Sequence, residues 1–189
     1  TDIGFTQYYI KNKNNQNRII GGFGLGLSLP YSKESSLFGY EVMHKLEPKI
    51  SYDFKAKKEQ KLLPLFDTAD NIKNLITYES LITGKRYSGI DRIVNENDIT
   101  ISLESDFQDM SDDGDGGSLL NFKIAQRFYG DDDAVSAAND ILLNPINYEK
   151  RRKYSDIAAS LDITVNDYLF ESKIQFDPKN ISIVKKELE

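Results

Sequence analysis

The chain has no cysteine, no tryptophan and a single histidine, His44, among 189 residues. Without thiols it has no disulfide framework, thiolate zinc site, iron–sulfur cluster or cysteine nucleophile. One histidine removes His-rich metal clusters and makes a Ser-His-Asp arrangement improbable. A dense basic block is missing too. Lys and Arg number 24 against 30 Asp and Glu, a formal charge of −6, which argues against a nucleic-acid reader. With 39% hydrophobic residues, a polytopic helical membrane protein is excluded. A β-barrel is not, because its polar lumen dilutes the average hydropathy. The chain opens Thr1-Asp2-Ile3 with no leader-like region and closes on a strand-like Lys185-Lys186-Glu187-Leu188-Glu189. It reads as an excised fragment, so a missing leader says nothing about destination.

What is present is alternation. From Tyr40 to Phe54 the even positions are Tyr40, Val42, His44, Leu46, Pro48, Ile50, Tyr52 and Phe54, and the odd ones are Glu41, Met43, Lys45, Glu47, Lys49, Ser51 and Asp53. A period of two puts one set on each face of a strand. Phe23, Leu25, Leu27 and Leu29 alternate with Gly22, Gly24, Gly26 and Ser28 in the same way. So do the stretches Ile99–Phe107, Leu120–Phe128, Ile157–Val165 and Tyr168–Phe176. With Ile3–Ile10 and Asn180–Leu188 this predicts an all-β, antiparallel chain of about eight strands. A helical period would scatter charge over both faces.

The connections carry a second pattern. Pro30–Gly39, Gln108–Ser118 and Asn166–Asp167 are short, polar and turn-like, while Lys57–Glu96 and Gly130–Lys153 are long. Short turns on one side and long loops on the other is the layout of outer-membrane barrels. Asp177–Asn180 and Lys11–Asn17 are brief exceptions. Short helices are expected in the long connections, one from Ile72, Leu75, Ile76 and Leu81 stopped by Gly84, another from Ala134 to Leu142 before Pro145. A transmembrane barrel strand needs about 9–11 residues, which several segments reach. A soluble sandwich with one wet face also alternates. The pattern alone leaves both open.

Most motif matches dissolve. Asp109 to Gly117 resembles a calcium loop, but its twelfth position is Leu120, not a bidentate acid, so it reads as an acidic turn. Gly21 to Gly26 lies inside an alternating strand, with no helix after it, which rejects a dinucleotide loop. His44 sits among apolar positions without a neighbouring nucleophile and reads as a packed or interfacial side chain. Pro48 removes one ladder donor, so a bulge or weakened pairing is expected there. No carboxylate pair is spaced as in a hydrolase, and neither an enzyme nor a cofactor is indicated. The stretch Gly84-Lys85-Arg86-Tyr87-Ser88-Gly89-Ile90-Asp91-Arg92-Ile93 keeps two readings. It is either a loop anchor, with Arg86 and Arg92 paired to Asp91 or other acids, or a contact for an anionic ligand.

These residues carry a resemblance. Arg18 with Leu29-Pro30, Leu46-Glu47-Pro48-Lys49 with Tyr52, Phe66-Asp67-Thr68, the run Arg86-Tyr87-Ser88-Gly89-Ile90-Asp91-Arg92-Ile93 with Asn97 and Ile99-Thr100, and Gln126-Arg127-Phe128-Tyr129 follow in order. Together they resemble the LptD family, the lipopolysaccharide-assembly or organic-solvent-tolerance proteins. Ile82-Thr83 departs from the family pattern, where an aromatic is expected. The resemblance implies that residues 1–189 are a later part of a C-terminal outer-membrane β-barrel domain of about 26 strands. It implies lipopolysaccharide transport and insertion into the outer leaflet in a Gram-negative cell, without catalysis. The implied partners are lipopolysaccharide, an LptE-like plug lipoprotein, an LptA-like periplasmic bridge, the barrel-assembly machinery and outer-membrane lipids. On that reading Glu41, Lys45, Glu47, Lys49 and Asp53 face the lumen, and the even positions of the same strand face lipid. The rival classes are another outer-membrane pore or transporter, and a soluble all-β binding module.

Overall fold

The computed structural model describes residues 1–8, 16–56, 63, 76–84, 93, 96–110, 117–130, 153–165 and 168–188. Among these, β1 (Asp2–Tyr8), β2 (Gln16–Ser28), β3 (Tyr31–Leu37) and β4 (Tyr40–Lys55) precede one short helix, α1 (Tyr78–Thr83). Then come β5 (Glu96–Asp109), β6 (Ser118–Tyr129), β7 (Ile157–Val165), β8 (Tyr168–Asp177) and β9 (Ser182–Leu188). They form one antiparallel sheet in the order β1-β2-β4-β5-β6-β7-β8-β9, with β3 on β4. Apart from β2 and β3, which both pair with β4, each strand pairs with its sequence neighbours in a meander.

Strand β3 corrects the expectation of a turn over Pro30–Gly39. Ser28 pairs with Lys49 and Tyr31 with Leu46, three residues on in one strand and three back in the other. β2 and β3 are therefore one line, interrupted at Leu29-Pro30, that lies along the whole of β4. Counted this way the sheet is eight strand positions wide. The real turn is only Phe38-Gly39, with φ of 51° and 92°, the left-handed pair of a tight hairpin turn. β3 was hidden because Ser32, Lys33, Glu34, Ser35 and Ser36 place polar groups on both faces.

Pro48 makes no bulge: β4 pairs with β5 in unbroken register from Val42 to Lys55. Its carbonyl accepts from Leu29 N–H at 3.1 Å. In an antiparallel pair a residue's N–H and C=O face the same neighbour. The donor that Pro48 lacks would thus have pointed at the break between β2 and β3, where Pro30 also lacks one. The weakened pairing is confined to that side. Register shifts fall instead at Phe107/Gln108 and Gln175/Phe176.

The two faces differ sharply in chemistry, and in the opposite sense to a soluble protein. Leu25 (66%), Leu27, Ile50, Ile99 and Ile101 (50%) are exposed on one face. Arg18, Asp98, Thr100, Arg127, Ser160 and Gln175 are buried on the other. Val42, beyond the apolar stretch, is the exception and is fully buried. Aromatic side chains edge the apolar stretch at both ends: Phe23, Tyr52, Phe54 and Phe128 toward the long connections, Tyr31, Phe107, Phe122 and Phe170 toward the short ones. Phe23 packs on Phe54 and Tyr52 with ring centroids 5.4 and 5.9 Å apart.

The apolar stretch drifts toward the short-turn end by about one residue per strand, from Leu46–Phe54 on β4 to Ile157–Val165 on β7. With a rise of about 3.3 Å per residue and about 4.8 Å between strands, the drift is a tilt of about 35–40°. No helix of the described residues is long and apolar enough to cross a membrane.

Candidate functional site

The odd positions of β4 form the middle of the polar face. Glu41, Lys45, Glu47, Lys49 and Asp53 project to one side, as their alternation predicts, and β5 sets acids opposite two of them. Glu47 pairs with Glu104 and Asp53 with Asp98. Directly opposed like charges destabilise a sheet, and each pair is bridged by one cation. Lys49 Nζ lies 3.2 Å from Glu47 Oε2 and 3.8 Å from Glu104 Oε2. Arg127, on β6, puts Nη2 3.0 Å from Asp53 Oδ2 and Nε 3.2 Å from Asp98 Oδ2. The second contact is an ion pair whose N–H points off the oxygen, since Nε makes no aligned hydrogen bond. Next to this cluster Lys55 Nζ meets Glu96 Oε2 at 3.0 Å.

Further along the same face, Lys123 stands opposite Glu104 and Ser160, and Lys173 stands opposite Ser160. Asn121 Nδ2 donates to Glu104 Oε1 at 3.3 Å, and Lys173 lies 3.6 Å from Glu171. The wall is a hydrated lattice of both signs, able to hydrogen-bond sugars and phosphates and unable to hold acyl chains.

At the long-connection end this wall is roofed. Helix α1 begins at Thr77, whose Oγ1 accepts from Ser80 N–H at 3.2 Å while Ser80 Oγ accepts from Thr77 N–H at 3.0 Å. This capping box starts the six-residue helix at Tyr78 and leaves Ile76 outside it; Ile72 and Leu75, whose spacing also predicts a helix, lie outside the described residues. Gly84 ends it as expected, at φ 63°. Tyr78 and Leu81 bury against Ala125 and Ala158, with Ile76 and Ile82 at the margin. Only small side chains on β6 and β7 let a helix sit this close.

Polar ties hold the seat. Ile76 N–H donates to Gln175 Oε1 at 3.1 Å, and Gln175 Nε2 donates to Asp156 Oδ2 at 2.7 Å. Lys123 Nζ lies 5.9 Å from the Tyr78 ring centroid. Gly84 rests directly on the ionic cluster. A Cβ there would come within 2.6 Å of Glu96 Oε1 and closer still to Arg127 Nη1.

Gln126-Arg127 serves both faces. Arg127 reaches the ionic cluster, while Gln126 Nε2 donates outward to Ser155 C=O at 3.1 Å. Arg127 N–H donates to Ser155 Oγ at 3.0 Å. Pairing between β6 and β7 slips by one residue here, from Ala125↔Ala158 to Phe128↔Tyr154, and these bonds satisfy the backbone through the slip. Sequence reasoning passed over Arg127 and Asp98, because only cross-strand register brings them to Asp53. Arg86, Tyr87, Ser88, Gly89, Asp91 and Arg92 lie outside the described residues, as do Phe66-Asp67-Thr68 and the helix expected at 134–142.

An open antiparallel sheet, apolar and exposed on one face, charged and enclosed on the other, and tilted by its own register, is a segment of transmembrane β-barrel wall. The chain belongs to the LptD family: the family profile "LPS transport system D" matches residues 2–189. It is 29% identical over 163 residues to the "LPS-assembly protein LptD" of Paracidovorax citrulli, covering 86% of this chain and 18% of that protein. The protein of that name from Pseudomonas putida is 30% identical over 165 residues, covering 85% and 16%. That of Chromobacterium violaceum is 34% identical over 134 residues, covering 68% and 16%. The chain thus spans less than a fifth of the length of these relatives.

Proposed function

We propose that this chain is part of the C-terminal barrel domain of an outer-membrane lipopolysaccharide transporter, and that its polar face lines the path of the sugar-rich head group. The observation that carries the reading is the inverted burial, with Leu25 and Ile101 exposed while Arg127 and Asp98 are enclosed. Acyl chains would stay in the outward apolar layer, while the head group meets the mixed charges of Lys45, Glu47, Lys49 and Glu104. The action is transport without bond chemistry, so the residues of this wall hold and pass a ligand and none is assigned a catalytic role. Family membership further suggests an outer-membrane location, a plug lipoprotein within the barrel, a periplasmic bridge that delivers the lipid, and the barrel-assembly machinery during folding. The run Arg86 to Arg92 is proposed as an anchor or an anion contact of the adjoining loop.

The test places photoreactive residues at Glu41, Lys45 and Lys49 in the full-length polypeptide, with Ile50 and Ile101 as outward controls. Lipopolysaccharide adducts from the first three positions in outer-membrane fractions support the reading. A parent protein recovered in the soluble fraction, or adducts at the outward positions alone, sinks it.

A further inference from the structure

We infer that the outward surface at the short-turn end of β3, β4 and β5 binds one glycerophospholipid, its phosphate held by Lys33 and His44 and its acyl chains laid along the apolar face. This rests on the proposed membrane setting of the sheet. The placement follows from register: Lys33 pairs with His44, and His44 with Phe107, so all three stand in one outward row. The His44 ring is stacked on Phe107, with centroids 4.1 Å apart and planes 2° from parallel. Its Nε2 lies 2.9 Å from Ser105 Oγ. An imidazole tied on one side and stacked on one face has a fixed direction, and Nδ1 is left for a second partner. Lys33 is exposed, and no ion pair engages its ammonium among the described residues. The outward carboxylate Asp109 stands one row nearer the turns, opposite Val42.

The depth of this row decides the ligand. One row up, Tyr31, Leu46 and Phe122 begin the apolar surface, which continues through Leu103 and Ile101. A cation there would be desolvated; at the row of His44 it stands at head-group level, where basic side chains meet lipid phosphates. A ligand must therefore be anionic at the short-turn end and apolar for the length of the strands above it. Bacterial barrels carry their short turns on the periplasmic side, which selects a phospholipid of that leaflet over the lipopolysaccharide of the other.

Native mass spectrometry on the full-length protein in micelles tests the site, titrated with phosphatidylglycerol, with diacylglycerol of the same chains, and with glycerol phosphate. Wild type is expected to retain one phosphatidylglycerol that Lys33→Gln binds about fivefold more weakly, with Lys33→Arg restoring it. His44→Ala should weaken it further in the double variant. Lys179→Gln, in the β8–β9 connection at the opposite end of the sheet, should bind as wild type, and diacylglycerol should not respond to any of these changes. Equal phosphatidylglycerol retention in the wild type and the double variant overturns the site. So does displacement of the lipid by glycerol phosphate at matched concentration, which would make it a free-anion site. Outer-membrane insertion of Ile101→Asp is read in parallel. Unimpaired insertion would remove the lipid setting itself, whereas impaired insertion with no Lys33 effect removes only the phospholipid site.

Discussion

Two carboxylate pairs on the polar face are built alike and stand in different surroundings. Glu47 and Glu104 face each other across β4 and β5 with Lys49 between them, and all three keep roughly a third of their side-chain surface in water. Asp53 and Asp98 face each other three rows away with Arg127 between them, and there Arg127 is 4% and Asp98 2% exposed while Asp53 stays half-buried. What covers the second group is the end of α1, where Gly84 sits against Arg127 and Glu96, while Tyr78 of the same helix lies by Lys123, nearer the first. Water screens the first cluster and leaves its members nearly independent. Its exclusion from Arg127 and Asp98 makes each of these two necessary to the other, because a charge left alone there has no solvent to fall back on. One face of one sheet thus has a solvated stretch and a drier stretch against which a connection is fixed.

Breaking the dry cluster should have the largest effect. Arg127→Met leaves the buried Asp98 opposed to the partly exposed Asp53 with no cation between them and should destabilise the full-length protein by about 3 kcal/mol in urea unfolding from micelles. Adding Asp53→Asn and Asp98→Asn should recover most of it; a triple variant no better than Arg127→Met would show that the charges are not the cause. Gly84→Ala comes next, since alanine disfavours φ 63° and its methyl meets Arg127 and Glu96. The expected loss is about 2 kcal/mol, read as faster hydrogen exchange over Thr77–Gly84 with the β5–β6 ladder unchanged. Thr77→Ala removes half of the capping box and should loosen the same amides by about 1 kcal/mol. Smallest is Lys49→Met in the solvated cluster, expected within about 1 kcal/mol of wild type. Raising salt to 1 M should erase even that difference, and a salt-resistant loss would mean that this cluster too is dry.

Legibility followed range. The faces of β4 could be read from Glu41 to Asp53 because alternation needs only neighbours two residues away. Gly84 could be read as a helix stop because its role is local. β3 was missed, since a strand lying beyond the apolar band needs no apolar face and Pro30 looks like the start of a turn. Of the two outcomes expected at Pro48 the bulge is absent, because the donor it lacks faces the break at Leu29-Pro30 and leaves the β4–β5 ladder untouched. Of the expected helix, Leu81 lies in α1 and Ile76 does not, because the Thr77–Ser80 box starts the helix after it. Arg127 was visible as a polar position and as part of the Gln126–Tyr129 motif, with nothing to show that Asp53, 74 residues earlier, would share its charge.

By itself the sequence determined the secondary-structure class, the two chemically opposite faces and the family, because alternation, turn residues and ordered motifs are properties of neighbouring residues. Tertiary structure decided which charges meet, where water is excluded, that β2 and β3 run as one line, and that α1 sits on Ala125 and Ala158. These depend on cross-strand register and on a connection folding back over the sheet. A shift of one residue in either would turn the same side chains to the opposite face.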